Sequence, residues 1–268
     1  MKHASRPFIP PSIRRWAGPA YDWVRRLPRL PDAYLHPWRR MSRARIAALR
    51  NAHRGERCFI IGNGPSLRDT DLTRLNGKLT FGVNRVYLLF DQLGFHTTYY
   101  VSINDLVVEQ CATDIAALQS TKFIAWHANR HFRRLADDMV FLYTTYTGPR
   151  FADDLSGRIW EGATVTNVAL QIAFFLGFQQ AILVGVDHSF STKGSPNQTV
   201  VSSGADPDHF SPEYFGRGFR WQLPDLATSE AGYRLARDAF ARAGREVLDA
   251  TIGGKLNIFP RVAYDSLF

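Results

Sequence analysis

The chain has 268 residues, of which 45% are hydrophobic, 13% aromatic and 21% charged, and its formal net charge is +9. This composition is typical of a folded protein that buries a substantial core, and it excludes global disorder. Two cysteines, Cys58 and Cys111, are too few for a disulfide framework or a cysteine-rich zinc site. No run reaches the roughly 18 apolar residues of a membrane span, and the start MKHASRPFIPP lacks the apolar core of a secretory signal. We therefore expect a cytoplasmic protein.

The positive charge is concentrated in residues 1–57, which contain 14 Lys and Arg against 3 Asp and Glu. We interpret this segment as a basic N-terminal arm and residues 58–268 as the catalytic domain. Trp16, Trp23 and Trp38 alternate with arginines in the arm. This pattern fits a peripheral contact with an anionic surface on the inner face of the cytoplasmic membrane. It equally fits a solvated arm that packs its tryptophans on the domain. No nucleic-acid-binding motif is present, so nucleic acid is not an expected partner, and the prolines of the arm predict only short helices there.

From residue 58 onward, short apolar runs alternate with amphipathic stretches. The pattern predicts strands and helices in alternation, which indicates an α/β, Rossmann-like, mostly parallel sheet with helices on both faces. Residues 187–226 are polar and rich in Gly, Pro and Asp, and a loop of this length is a lid, a binding loop or a disordered segment. The predicted strands are 58–62, 79–83, 98–103, 122–126, 139–144, 181–186 and 246–250, and the predicted helices are 85–93, 106–118, 163–176 and 228–243.

The sequence GNGPSL at 62–67 follows the first predicted strand directly. Glycines allow a tight turn and a close approach of a ligand, and backbone amides there can hold phosphate oxygens. The alternative is a simple turn between a strand and a helix. Neither the dinucleotide fingerprint nor the P-loop pattern is present.

Four segments of the sequence resemble, in the same order, those of a known family. They are GNGPSL at 62–67, FGVN at 81–84, YYVSIND at 99–105 and ATVTNVALQIAFFLGFQQAILVGVDHSF at 163–190. This family is the MptE-like (6-hydroxymethylpterin diphosphokinase-like) family, related to the motility accessory factor glycosyltransferases and the family 42 bacterial sialyltransferases. The resemblance implies a sialyltransferase-like fold that binds a nucleotide. The nucleotide-binding residues that it nominates are Gly62, Asn63, Gly64, Pro65, Ser66, Asn84, Asn104, Asp105, Thr164, Thr166 and Asn167.

The long loop contains the candidate catalytic residues. The resemblance implies a general-base histidine in this loop, for which His209 is the first candidate and His188 the second. Asp187 could orient a histidine or bind a metal. The tyrosine pair that binds the leaving phosphate in sialyltransferase-like proteins would fall near Ser189 and Ser195, so this chain departs from that pattern.

The Asp-x-Asp triplet at 206–208 is a credible Mg²⁺ site only if the donor is a nucleoside di- or triphosphate. The triplet at 69–71 is a helix-start feature. We therefore expect no obligatory metal.

Two enzymatic functions and one binding function remain open. The first is a glycosyltransferase for surface polysaccharide or glycoconjugate biosynthesis, which takes a nucleotide-sugar donor, CMP-linked in our expectation, and a glycan or lipid-linked glycan acceptor. The second is an MptE-type diphosphokinase that uses ATP and Mg²⁺, with Asp105 and Asp187 as metal ligands. The third is a non-catalytic nucleotide-binding accessory protein of polysaccharide assembly.

Overall fold

The computed structural model describes residue 24 and residues 27–268. Within them, two helices, α1 (Leu30–Leu35) and α2 (Pro37–Leu49), precede the sheet. The other helices are α3 (Phe90–Leu93), α4 (Asp105–Ala117), α5 (Val165–Leu176) and α6 (Leu226–Arg242). The strands are β1 (Arg57–Ile61), β2 (Thr80–Val83), β3 (Tyr99–Ser102), β4 (Thr121–Ala125), β5 (Met139–Thr145), β6 (Arg158–Trp160), β7 (Gln180–Val184), β8 (Thr199–Val201), β9 (Arg220–Gln222) and β10 (Glu246–Asp249).

The main sheet of the described residues has the strand order β10-β7-β1-β2-β3-β4-β5-β6. Every neighbouring pair in it is parallel. Its interior strand β1 pairs through Phe59 with Thr80 on one side and with Ile182 on the other. The predicted α/β, Rossmann-like sheet is therefore confirmed. The patterns missed β6, β8 and β9, because three-residue strands give no readable periodicity.

Both faces of the sheet are covered. One face packs on α5 and α6, through residues such as Leu170, Ala173 and Phe240, and the other packs on α4 and on aromatic residues of the long loop. Four of the five residues of β1 are buried, which explains why this strand reads as a continuous apolar run.

The chain reverses its direction of travel across the sheet at β1. Strands β2 to β6 are added successively on one side of β1, and β7 is then added on the other side. In such open sheets, ligands bind beyond the carboxyl ends of the strands at this switch point. The topology therefore directs attention to the loops that follow β1 and β7.

The second half of the predicted arm is folded against the sheet. Helix α2 has 13 residues and begins at Pro37, so the expectation of only short helices in the arm is wrong here. A proline in the first helical position does not interrupt a helix, because its missing N–H would be unpaired there anyway. Trp38 stacks on Phe141 of β5 with ring centroids 5.8 Å apart. Trp16 and Trp23 lie outside the described residues, and the domain division at residue 58 remains a prediction.

Candidate functional site

A cleft of about 170 Å³ lies at the carboxyl ends of β1, β2 and β7. The turn after β1, the amino end of α5 and the start of the long loop form its walls. Of the residues nominated from the sequence, those that line it are Gly62, Asn63, Gly64, Asn84, Thr164, Thr166, Asp187, His188 and His209.

The glycines of the turn allow it to pack against the segment that follows β7. Gly62 and Gly64 donate backbone hydrogen bonds to Val184 O at 2.7 Å and Gly185 O at 2.9 Å. A β-carbon at Gly64 would overlap the Asp187 carboxylate, so only glycine fits there. Pro65 opens the short 3₁₀ turn Pro65–Asp69.

Asp187 closes this turn. Its carboxylate accepts hydrogen bonds from the Ser66 N–H at 3.0 Å and from the Ser66 hydroxyl at 2.7 Å. Both Ser66 donors that the sequence assigned to a ligand are thus bound to a protein carboxylate. Asp187 orients the turn, and its carboxylate forms no hydrogen bond or ion pair with a histidine of the described residues.

The two asparagines that follow β2 and β3 have different surroundings. Asn84 lines the cleft with φ 48°, and its Oδ1 accepts a hydrogen bond from the Ser102 hydroxyl at 3.2 Å. Asn104 caps α4, because its Oδ1 accepts from the Leu106 N–H at 3.0 Å. Asn104 is not among the residues that line the cleft.

Asp105 also lies outside the cleft lining. It forms an ion pair with Arg130, and its Oδ1 lies 3.2 Å from Nε2 of His131. The nominated residues after β3 are therefore engaged in the local structure of α4, and they do not join the nominated residues after β1 and β7.

The amino end of α5 faces the cleft. Thr164 caps the helix by accepting a hydrogen bond from the Thr166 N–H at 3.3 Å. Asn167 lies one turn further along the helix and is only 1% exposed. It donates to Trp160 O at 3.1 Å and packs against Gly232 of α6. Asn167 therefore determines how closely α6 approaches α5, whereas Thr164 and Thr166 reach the cleft.

His209 forms a dyad with Asp206. Its Nδ1 lies 2.8 Å from Asp206 Oδ2, and its ring stacks on Tyr214 at 4.0 Å between centroids. Asp206 also accepts from the backbone N–H groups of Asp208 and Phe215 at 2.9 and 3.1 Å. A histidine that donates its Nδ1–H to a carboxylate carries its lone pair on Nε2. The dyad thus leaves Nε2 of His209 able to accept a proton at the cleft.

His188 has its own carboxylate partner. Its Nε2 lies 3.2 Å from Glu230 Oε1, and its backbone has φ 55°. Hydrogen bonds from His188 and Arg234 hold the pKa of Glu230 below its ordinary value. Two imidazoles therefore face one cleft, each held by a carboxylate.

The Asp-x-Asp triplet at 206–208 is part of the loop architecture. Asp208 accepts hydrogen bonds from the N–H and O–H groups of Ser191 and Thr192. Burial opposes the shift, but these bonds lower the pKa of the Asp208 carboxyl. Among the described residues, no group of three or more His, Cys, Asp or Glu side chains has the geometry of a metal site. The expectation of no obligatory metal stays a prediction.

The long loop is docked onto the turn after β1. The Phe210 N–H donates to Asn63 O at 2.9 Å. Arg68 donates to Phe210 O and His209 O at 2.8 and 2.7 Å. These contacts place His209 beside the turn, and no local pattern predicts them because the partners lie about 140 residues apart. Arg85 anchors the same loop at the carbonyl groups of Glu213 and Tyr214.

The Oδ1 atom of Asn63 is buried in the cleft wall without a hydrogen-bond partner among the described residues. A buried amide oxygen without a partner is costly, so such atoms often bind a ligand or a water molecule. Asn63 therefore lines the cleft with free capacity to accept a hydrogen bond from a ligand.

These features define a Rossmann-like α/β protein with a histidine-bearing cleft at its switch point. The chain belongs to the 6-hydroxymethylpterin diphosphokinase MptE-like family, whose model matches residues 33–193. The MAf glycosyltransferase from Magnetospirillum magneticum AMB-1 has a similar fold, with a TM-score of 0.52 and 14% sequence identity. That similarity covers 86% of this chain and 39% of the glycosyltransferase chain, so this protein spans less than half of its structural neighbour. No curated protein matches the sequence. No helix in the described part is at once long and apolar enough to span a membrane.

Proposed function

We propose that the protein transfers a sugar from a nucleotide-activated donor to a hydroxyl acceptor. The observation that carries this proposal is the His209–Asp206 dyad, docked through Phe210 and Arg68 onto the Gly62–Ser66 turn within one cleft. The fold shared with a glycosyltransferase supports it.

In the proposed reaction, Nε2 of His209 accepts the proton of the acceptor hydroxyl. The acceptor oxygen forms a bond to the anomeric carbon of the donor sugar. The bond between that carbon and the phosphate oxygen breaks, and its electron pair leaves with the nucleotide. Asp206 stabilises the imidazolium that forms and fixes the orientation of the ring, which makes it a positioning residue.

The donor nucleotide would lie between the turn after β1 and the amino end of α5. Asn63 and Asn84 offer amide groups, and Thr164 and Thr166 offer hydroxyls. Such neutral groups suit a nucleoside, because they supply both donors and acceptors. A CMP-linked sugar is the first donor to test, with a glycan or lipid-linked glycan as the acceptor.

Diphosphokinase activity with ATP and Mg²⁺, which the family description suggests, is the alternative. It needs carboxylates that are free to hold the metal. The candidates Asp105 and Asp187 are instead bound to Arg130 and His131 and to Ser66, respectively. These contacts favour sugar transfer over the diphosphokinase reading.

The test is a binding screen of CMP, UDP, GDP and ATP by calorimetry, with and without Mg²⁺, followed by transfer assays with the matching sugar nucleotides. We expect metal-independent binding of one nucleotide. We expect His209→Ala to lower kcat by about 100-fold or more, with nucleotide affinity retained, because it removes the base. Asp206→Asn should lower kcat and alter its pH profile, since the Nδ1–H loses its anionic partner. His188→Ala tests the second candidate base in the same assay.

Each outcome of this screen selects one function. Binding of ATP that requires Mg²⁺, with pyrophosphate transfer, would establish the diphosphokinase. Nucleotide binding without any transfer would indicate an accessory protein. Full transfer activity in His209→Ala would contradict the assignment of the base.

We also propose that the basic arm contacts an anionic membrane surface. The supporting observation is the pairing of exposed apolar residues with exposed arginines on its described part. Leu27, Leu35 and Met41 are 41%, 70% and 47% exposed, and Arg40 and Arg43 of the same segment are also exposed. Exposed apolar side chains together with arginines suit the boundary between headgroups and acyl chains.

A further inference from the structure

The cleft contains a cluster of three hydroxyl groups, those of Tyr233, Thr164 and Thr166. Their hydrogen bonds to one another do not use all three O–H donors. The Tyr233 hydroxyl lies 3.4 Å from Thr164 Oγ1 and also interacts with the Thr166 side chain. Tyr233 is 3% exposed, and all three residues line the cleft. Thr164 Oγ1 already accepts the Thr166 N–H. Among the described residues, no carbonyl or carboxylate group accepts a hydrogen bond from these three hydroxyls. Because the three O–H donors share only two contacts with one another, at least one O–H is available to a ligand.

The position of Tyr233 is fixed by close packing. A β-carbon on the preceding Gly232 would lie 2.9 Å from Asn167 Cγ, so a larger residue there would force Asn167 or α6 to shift. The Tyr233 ring also makes edge contacts with Phe259 and His188, at 5.8 and 6.1 Å between centroids. The hydroxyl is therefore held rigidly at the amino end of α5.

The protonation state of Tyr233 suits a hydrogen-bond donor. Burial raises the pKa of Tyr233, so its hydroxyl stays protonated at neutral pH. An oxygen of a phosphate group is the complementary ligand, because it accepts hydrogen bonds and is favoured by the partial positive charge at a helix amino end.

We propose that Tyr233, with Thr164 and Thr166, binds a phosphate oxygen of the nucleotide in this cleft. This inference rests on the proposed function and adds to it a residue of α6 that no sequence motif nominated. In the transfer reaction, the Tyr233 hydroxyl would donate to the phosphate as negative charge grows on it.

The test compares phosphorylated and unphosphorylated ligands on the full chain. The probes are CMP, UMP, GMP and AMP, each measured by calorimetry beside its own nucleoside. For the nucleotide that binds best, we expect Tyr233→Phe to weaken binding by about tenfold and to leave the nucleoside affinity unchanged, because only the hydroxyl is lost. Tyr264→Phe is the matched control, because Tyr264 is another buried tyrosine whose hydroxyl donates to Asp71 O at 2.9 Å away from the cleft.

A second variant distinguishes the loss of a hydrogen bond from a folding defect in Tyr233→Phe. Thr166→Val keeps the shape and the backbone N–H but removes a hydroxyl. It should weaken binding of the same nucleotide and leave the affinity for its nucleoside unchanged. Equal affinities of wild type and both variants for the nucleotide, or a parallel loss for nucleotide and nucleoside, would overturn the phosphate assignment while nucleotide binding stands. If the wild type binds none of the eight probes, the proposed function itself fails and the phosphate assignment fails with it.

Discussion

The carboxyl group of Glu161 is buried in the segment between β6 and α5, with 4% of the residue exposed. Its Oε1 has no hydrogen-bond partner among the described residues and lies 3.9 Å from Nδ1 of His127. Burial raises the pKa of Glu161 to about 8, with a smaller contribution from the negative charge of Asp105. The folded protein therefore holds a proton at neutral pH that the unfolded chain releases.

This difference makes the stability depend on pH. The pKa of Glu161 is higher in the folded than in the unfolded state, so the free energy of unfolding should fall as the pH rises from about 4.5 to about 8. The loss that Glu161 contributes between pH 5 and pH 8 is on the order of 3 kcal/mol. We expect Glu161→Gln to remove it, so that the variant melts at a higher temperature than the wild type at pH 8.

The measurement is thermal unfolding of both proteins from pH 5 to pH 8. Glu213→Gln, which changes an exposed carboxylate, is the control and should follow the wild type. If Glu161→Gln and the wild type lose stability in parallel over this range, the carboxyl group is ionised in the folded protein and the inference is wrong.

At the scale of elements, α2 completes the edge of β5. Among the described residues, β6 pairs with Tyr143–Thr145 of β5. The preceding residues of β5 on that edge contact α2. Phe141 donates its N–H to the Ser42 hydroxyl at 2.9 Å and accepts from the Arg39 guanidinium. Arg39 is fully buried and also donates to Ala33 O at 2.9 Å. One arginine therefore joins α1, α2 and β5.

Replacing Arg39 should cost more stability than replacing its neighbour. Burial lowers the pKa of Arg39 to about 10, so the side chain remains charged at neutral pH. Hydrogen bonds to charged groups are among the stronger ones, and Arg39→Met would leave buried carbonyl groups without donors. We expect the free energy of unfolding, measured in urea, to fall by about 3 kcal/mol. The matched variant Arg40→Met changes an exposed side chain and should shift it by less than about 0.5 kcal/mol. Similar losses in both variants would show that α2 contributes through its surface charge instead.

At the scale of the whole molecule, α1 lies at the same edge of the sheet as the cleft. Asp32 accepts a hydrogen bond at 2.9 Å from Trp126, which follows β4 directly. Tyr34 packs against Tyr143 with ring centroids 5.6 Å apart. Leu35, the last residue of α1, is therefore near the side of the molecule where the carboxyl ends of the strands are found.

The prediction for this surface concerns vesicle binding. We expect the full chain to sediment with vesicles that contain an anionic phospholipid and not with purely zwitterionic vesicles. Leu35→Glu combined with Met41→Glu should reduce the bound fraction several-fold, because it introduces repulsion and removes apolar contact. Val201→Glu, at a 63% exposed site in β8, is the control. Unchanged sedimentation of the double variant would contradict this contact surface. Deleting residues 1–50 is a poor test, because it would remove the buried Arg39 and Ile46.

The sequence by itself determined the local features of this protein. The apolar runs predicted seven strands of the main sheet, and the glycine spacing at 62–64 predicted the tight turn after β1, because both depend on neighbouring residues. The amphipathic pattern also predicted α4, α5 and α6 to within a few residues. The family resemblance predicted that a histidine of the long loop is the general base, and the structure shows this loop packed against the turn after β1.

Only the tertiary structure decided what the polar residues contact. Asp187 binds Ser66, Asn104 caps α4, and Asn167 packs between two helices, although each was nominated for a different role. Tyr233, Arg68 and Glu161 gained their importance from partners that no local pattern marks. A side chain with hydrogen-bonding capacity can satisfy it on a neighbouring turn, on a helix end or on a ligand. Which of these it meets depends on contacts between residues far apart in the chain, and those contacts exist only after folding.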